Sequence, residues 1–157
     1  MRLTSFTDYC LRVLIFVAVH PEGRTTIAEV ARSYGISKHH LTKVVHLLGK
    51  AGFLDNARGR GGGLCLARPA RQIGVADVVR EAEGAAVPAA CFDEAAETCA
   101  ISRVCRLHGV LDEAVRAFYA VLEAYTLEDL VANRQRLRLV LMPPSPRKLA
   151  KGNDATH

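Results

Sequence analysis

Thr26-Ile27-Ala28-Glu29-Val30-Ala31-Arg32-Ser33-Tyr34-Gly35-Ile36-Ser37-Lys38-His39-His40-Leu41 is the stretch whose reading decides the fold. A threonine followed three residues later by a glutamate makes a capping box, in which the hydroxyl accepts from the third N–H of the helix and the carboxylate reaches back to the cap. Behind it Ile27, Val30, Ala31 and Tyr34 form the apolar stripe of a short helix. Gly35-Ile36 supplies a tight turn, and Ser37 opens a second helix that buries Leu41, Val44, Val45 and Leu48 and ends near Gly52. Two short helices joined by a glycine-containing turn form a helix-turn-helix. The second is then the recognition helix, whose first turn meets base edges in the major groove. Ser37, Lys38, His39 and His40, with Lys43 one turn on, are polar or cationic groups the core does not need. Together with Thr26 they are candidate DNA contacts.

Downstream, Phe53 to Ala57 and Leu64 to Ala67 read as two short strands joined by Arg58-Gly59-Arg60-Gly61-Gly62-Gly63. A glycine-rich hairpin carrying Arg58 and Arg60 is a wing, since glycine allows close approach to phosphates and arginine favours the potential of a narrow minor groove. A dinucleotide-binding loop is the enzymatic rival. It fails because Leu64 stands where the third glycine of the pattern is required and the long helix that such a loop opens is missing. No hydrolytic triad, HExxH or phosphate loop is visible, so no enzyme is expected.

Upstream, Phe6, Tyr9, Cys10, Val13, Leu14 and Val17 fall on one face of a helix that ends at Pro21-Glu22-Gly23. Cys10 on that face reads as a small buried hydrophobe, and Asp8 points off it. The apolar run is far shorter than the roughly 18 residues of a membrane span. No small-residue cleavage site follows it, so a cytoplasmic protein without a membrane partner is expected. Residues 1–70 hold ten Lys/Arg against four Asp/Glu, whereas residues 71–141 hold eight against eleven. The amino-terminal half is thus the side that attracts a phosphate backbone.

Beyond Pro69, a short helix spans Val75 to Glu83 with Val75, Val78 and Val79 inward and closes at Gly84. Residues 85–104 lose periodicity. Leu107, Leu111, Ala114, Phe118, Val121 and Tyr125 then recur at alternating spacings of four and three, the seam of a two-helix contact, which predicts a homodimer whose twofold axis matches two DNA half-sites. Thr126 to Asp129 caps one more short helix. The expected organisation is a winged helix-turn-helix region over 1–84, a loop over 85–105, a dimerisation helix and carboxy-terminal helix over 105–141, and a disordered basic tail over 142–157. The fold class is mainly α with a small β wing.

Five cysteines, an odd count in a reducing compartment, argue against a disulfide framework. Cys91, Cys99 and Cys105 are spaced C-x7-C-x5-C, with His108 three residues after the last. Zinc ribbons use paired C-x2-C knuckles and four closed ligands, so this wide three-thiol pattern suits them poorly. An iron–sulfur cluster fits better, because a cubane takes sulfur donors spread around it and leaves one iron for a labile ligand. A 4Fe-4S cluster is favoured over 2Fe-2S. A metal-free thiol switch, with Cys91 and Cys99 forming a disulfide on oxidation, is the reading from a different class. Cys65, in the second strand, reads as packing.

Leu3-Thr4-Ser5-Phe6-Thr7-Asp8-Tyr9, the Arg58-to-Gly63 loop, the three cysteines, Cys105-Arg106-Leu107 with Gly109-Val110-Leu111, and Tyr125-Thr126-Leu127-Glu128-Asp129-Leu130-Val131 together resemble the NsrR branch of the Rrf-type winged-helix repressors. That branch senses nitric oxide, and the resemblance runs from about residue 1 to residue 141. It implies a homodimeric repressor that holds double-stranded promoter DNA while its cluster is intact and releases it when nitric oxide attacks the irons. It further implies Cys91, Cys99 and Cys105 as ligands and Asp8, given by the partner subunit, as the fourth. The iron-responsive RirA branch shares the cysteine spacing. His108 falls where the cluster-status regulator IscR has a histidine ligand, so His108 is the alternative fourth donor.

Overall fold

The computed structural model describes residues 3–57, 62–84, 101 and 104–143. Its first helix, α1 (Ser5–Val19), is capped by the Thr4 hydroxyl, which accepts from the Thr7 N–H. It stops at His20, whose extended backbone is what a following proline imposes. The helix-turn-helix follows as α2 (Ile27–Tyr34) and α3 (Lys38–Lys50). Gly35 closes α2 in the left-handed conformation (φ 66°), which a glycine adopts without the steric cost of a Cβ.

β1 (Leu54–Ala57) and β2 (Gly63–Leu66) pair antiparallel, with Leu54 opposite Leu66 and Asn56 opposite Leu64. Thr25 adds an isolated bridge to Leu64: the Thr25 N–H donates to the Leu64 carbonyl at 3.0 Å and the Leu64 N–H returns at 2.7 Å. The wing is therefore sewn to the residue before the Thr26 cap. A one-turn 3-10 helix at Ala70–Gln72, which the sequence pattern had not suggested, leads through buried Ile73 into α4 (Val75–Glu83).

The long α5 (Arg106–Glu123) runs back along α4, followed by α6 (Leu127–Leu130) and α7 (Arg134–Leu141). At the base of this pair the Val75 N–H donates to the Tyr125 carbonyl at 3.0 Å and the Leu127 N–H to the Ile73 carbonyl at 2.8 Å. The core is organised around α1, whose Cys10, Val13, Leu14, Phe16 and Val17 meet Leu41, Val44 and Leu48 of α3, Leu64 of the wing, Val78 of α4, and Leu127 and Val131. Burying each of these large aliphatic side chains contributes about 1.5–3 kcal/mol. Among the described residues no helix is long and apolar enough to cross a membrane.

In the single chain the six positions of the seam expected on α5 divide between half-buried and exposed. Leu111 and Phe118 are half-buried together with Val115, Tyr119 and Leu122, on the side that meets α4. Leu107, Val110, Ala114, Ala117 and Val121 form a second, exposed stripe, and Tyr125 is exposed at its end. The six seam positions lie along the border between these two stripes.

Candidate nucleic-acid interface and cysteine site

Both cap structures read from the sequence are present. The Glu29 N–H donates to the Thr26 hydroxyl at 3.2 Å, while the Glu29 carboxylate accepts from the Thr26 N–H at 2.8 Å, the Thr26 hydroxyl at 2.9 Å and the Thr25 hydroxyl at 3.0 Å. Partial burial pushes the Glu29 carboxyl up, but these hydrogen bonds outweigh it and hold it below the ordinary glutamate value. The Ser37 hydroxyl accepts from the His40 N–H at 3.3 Å. Two of the candidate DNA contacts, Thr26 and Ser37, are thus also the caps that set where their helices start.

Lys38, His39, His40 and Lys43 are all exposed on α3. His40 stacks on Tyr9 of α1 (ring centroids 6.2 Å apart, interplanar angle 24°) and lies 6.0 Å from His39. Beside them opens a groove of about 460 Å³ lined by Thr25, Thr26, Ile27, Ala28, Lys38, Thr42, Asn56, Gly63 and Leu64. It gathers the start of α2, the start of α3 and the root of the wing into one concave surface. Thr42 and Asn56 were not singled out from the sequence. Thr42 lies one turn beyond Lys38 on the same helical face, so periodicity contained that signal; Asn56 had none. Arg58 and Arg60, expected on the wing, lie outside the described residues.

In the glycine-rich 58–63 stretch, the sequence accounts for glycine by close approach to phosphate. The structure adds a different requirement at Gly63: a Cβ there would stand 2.8 Å from the Thr25 carbonyl oxygen. Only glycine permits this strand contact.

Of the sulfur donors, Cys91 and Cys99 lie outside the described residues. Cys105 is a half-buried free thiol at the amino-terminal cap of α5, and its side chain makes no capping hydrogen bond. His108 lies in the first turn of the same helix. Cys10 is fully buried, and its thiol is pushed up to about 12, first by burial and then by the negative charge of Glu83, so it stays protonated. Cys65 is half-buried on β2, its sulfur 3.9 Å from the Asp55 carbonyl oxygen. Protonated Cys10 lacks the thiolate that ligates iron, whereas Cys105 lies half-buried at the positive end of α5. Among the described residues no three His, Cys, Asp or Glu side chains converge to hold a metal ion.

Asp8 lies in the first turn of α1, half exposed, paired with Arg12 at 2.8 Å. The Arg12 guanidinium also lies 5.6 Å from the centre of the Tyr34 ring. Glu83, the last residue of α4, anchors that same turn: it accepts from the Thr4 N–H at 2.8 Å, the Thr4 hydroxyl at 3.1 Å and the hydroxyl of fully buried Thr7. No sequence pattern connects residues so far apart. The structure therefore joins the Asp8 turn to the last residue of α4.

Residues 3–133 match the family model Rrf2, described as an iron-dependent transcriptional regulator. The chain belongs to the Rrf2 family. Within it, the chain is 45% identical over 142 residues to the HTH-type transcriptional regulator NsrR of Bacillus subtilis, covering 90% of this chain and 97% of that one. It is 44% identical to the NsrR of Shouchella clausii, covering 90% and 95%. Among solved structures, T. potens IscR superposes with a TM-score of 0.70 at 24% identity, over 88% of this chain and 91% of that one, a likeness of fold. CymR, the global cysteine regulator of B. subtilis, superposes with a TM-score of 0.64 at 28% identity, over 85% and 98%. The mainly helical winged fold expected from the sequence is that of these Rrf2 regulators. As a member of this family the chain is a transcriptional regulator, not an enzyme.

Proposed function

We propose that the chain is an iron–sulfur, nitric-oxide-sensing repressor that acts in the cytoplasm as a homodimer on double-stranded promoter DNA. What carries the reading is the placement of Cys105, a free thiol at the start of α5, in a chain about 44% identical to proteins named NsrR. Cys91, Cys99 and Cys105 would hold the cluster, of the 4Fe-4S type, with Asp8 of the partner subunit as fourth ligand. Bound there, the cluster would supply iron open to attack by nitric oxide, and the hard carboxylate of Asp8 would be the weakest of its four ligands.

The remaining work belongs to the chain's own residues. Asp8 can leave Arg12 at little cost, because an exposed pair one turn apart is worth about 0.3–0.5 kcal/mol. A shift of the first turn of α1 carries Tyr9, and Tyr9 stacks on His40 at the head of the recognition helix. Ligation of Asp8 is thereby felt by the groups proposed to read DNA: Ser37, Lys38, His39, His40 and Lys43 on α3, Thr26 at the cap of α2, and Arg58 and Arg60 on the wing. The exposed stripe Leu107, Val110, Ala114, Ala117 and Val121 supplies an apolar face for the twofold partner.

Replacing Cys91, Cys99 or Cys105 by alanine should abolish the visible absorption of the anaerobically purified protein and relieve repression. Cys65→Ala should leave both intact. Survival of the absorption after loss of Cys99 contradicts the ligand set, and a colourless wild-type protein with full DNA binding favours the thiol switch. Mixed dimers assign the fourth ligand. With Asp8→Ala on one chain and the three cysteines replaced on the other, the intact loop faces a wild-type Asp8 and one normal cluster forms. With both lesions on one chain it binds poorly. Equal stability in the two mixed dimers transfers the role to His108.

A further inference from the structure

We infer that Arg80 is a positioning residue that sets the angle between the DNA-reading region and α5, and with it the half-site spacing the dimer accepts. The inference rests on the proposed use of α5 as the dimer helix. Two points fix the direction of one helix against another, and the structure contains both. The first is the pair of backbone hydrogen bonds at the base, Val75 to Tyr125 and Leu127 to Ile73, which acts as a pivot. The second lies five residues along α4, about 7.5 Å from Val75 at 1.5 Å per residue. There the Arg80 guanidinium pairs with the Glu123 carboxylate and lies over the Tyr119 ring, 4.7 Å from its centre, while Asp77 stands 3.8 Å from its other nitrogen. Arg80 is the described side chain of α4 that grips α5 by both charge and ring.

Arginine suits this place because a planar guanidinium can stack on a ring and pair at its edge at once, which an ammonium cannot. Between pivot and grip, Leu122 is the half-buried apolar side chain that α5 supplies, so the apolar contact on that side of α5 is small. The leverage is large. Half-sites one helical turn apart put each recognition helix about 17 Å from the twofold axis, and on an arm of about that length a swing of about 10° is a movement of about 3 Å. That is close to the rise of one base pair, about 3.4 Å.

The test uses the anaerobically purified full-length chain and a two-half-site DNA selected from random sequence by the wild-type protein. Affinity is measured for that DNA, for the same DNA with one base pair inserted or removed between half-sites, and for a single half-site. Wild type should discriminate against altered spacing. Arg80→Ala should lose about tenfold of that discrimination, two grips per dimer each contributing a few-fold, while single-half-site affinity and dimerisation stay at wild-type values and the melting temperature falls by no more than about 4 °C. Arg80→Lys should recover only part, since it restores charge without the stack. Undiminished spacing discrimination in Arg80→Ala overturns the inference while leaving the proposed function standing. A wild-type protein that binds all spacings equally overturns the inference together with the twofold use of α5 on which it rests.

Discussion

Replacement of Gly63 by alanine tests the wing at its most constrained point. The added Cβ would lie 2.8 Å from the Thr25 carbonyl oxygen, a backbone atom that no side-chain rotation can remove. Ordinary contact requires several tenths of an ångström more. The strands can supply it only by opening the two hydrogen bonds of 2.7 and 3.0 Å between Thr25 and Leu64. Both residues are buried, so the net value of an ordinary hydrogen bond is the least that this opening costs. At about 1 kcal/mol net for each bond the cost is about 2 kcal/mol, out of a typical total of about 5–15 kcal/mol. For a chain of this size the melting temperature should fall by about 4–8 °C. Because β2 leads out of the wing and Thr25 adjoins the Thr26 cap, DNA affinity should fall as well. Thermal melting followed by circular dichroism, with DNA binding measured well below the transition, checks both. An alanine variant that melts within about 1 °C of wild type would show that the bridge is not the constraint described here.

Leu41, fully buried between α3 and the core, should cost about 2–5 kcal/mol when replaced by alanine, as read from chemical denaturation. Glu29 has a folded-state value below its ordinary one, so the stability it contributes is complete above the ordinary glutamate range and is lost as pH falls through the lower folded value. Glu29→Gln should therefore flatten the acid side of the stability–pH curve; an unchanged acid limb contradicts the capping role. Cys10, held as a thiol by burial, should resist alkylation at pH 8 in the folded protein and react on unfolding, which mass spectrometry resolves site by site.

The elements legible in the sequence are those whose signals are local. The caps at Thr26 and Ser37, the turn at Gly35 and the inward valines of α4 each involve residues within one or two turns of each other, and the structure has all of them. What escaped the sequence depends on residues distant along the chain. The Glu83 anchor on Thr4 and Thr7 spans 76 or more positions, and the Gly63 constraint depends on where Thr25 passes. On α5 the apolar positions were visible, but which of them face α4 follows from the grip of Arg80 on Tyr119 and Glu123. In the candidate site, the polar head of α3 could be read from helical phase, whereas its link to Asp8 through Tyr9 and His40 exists only in three dimensions.

The most direct measurement of the central claim is an anaerobic titration of the reconstituted protein with nitric oxide, following visible absorbance and binding to a promoter fragment in the same samples. The account predicts that the iron–sulfur absorbance and the DNA-bound fraction fall together. Full DNA binding retained after the absorbance has been bleached would contradict it.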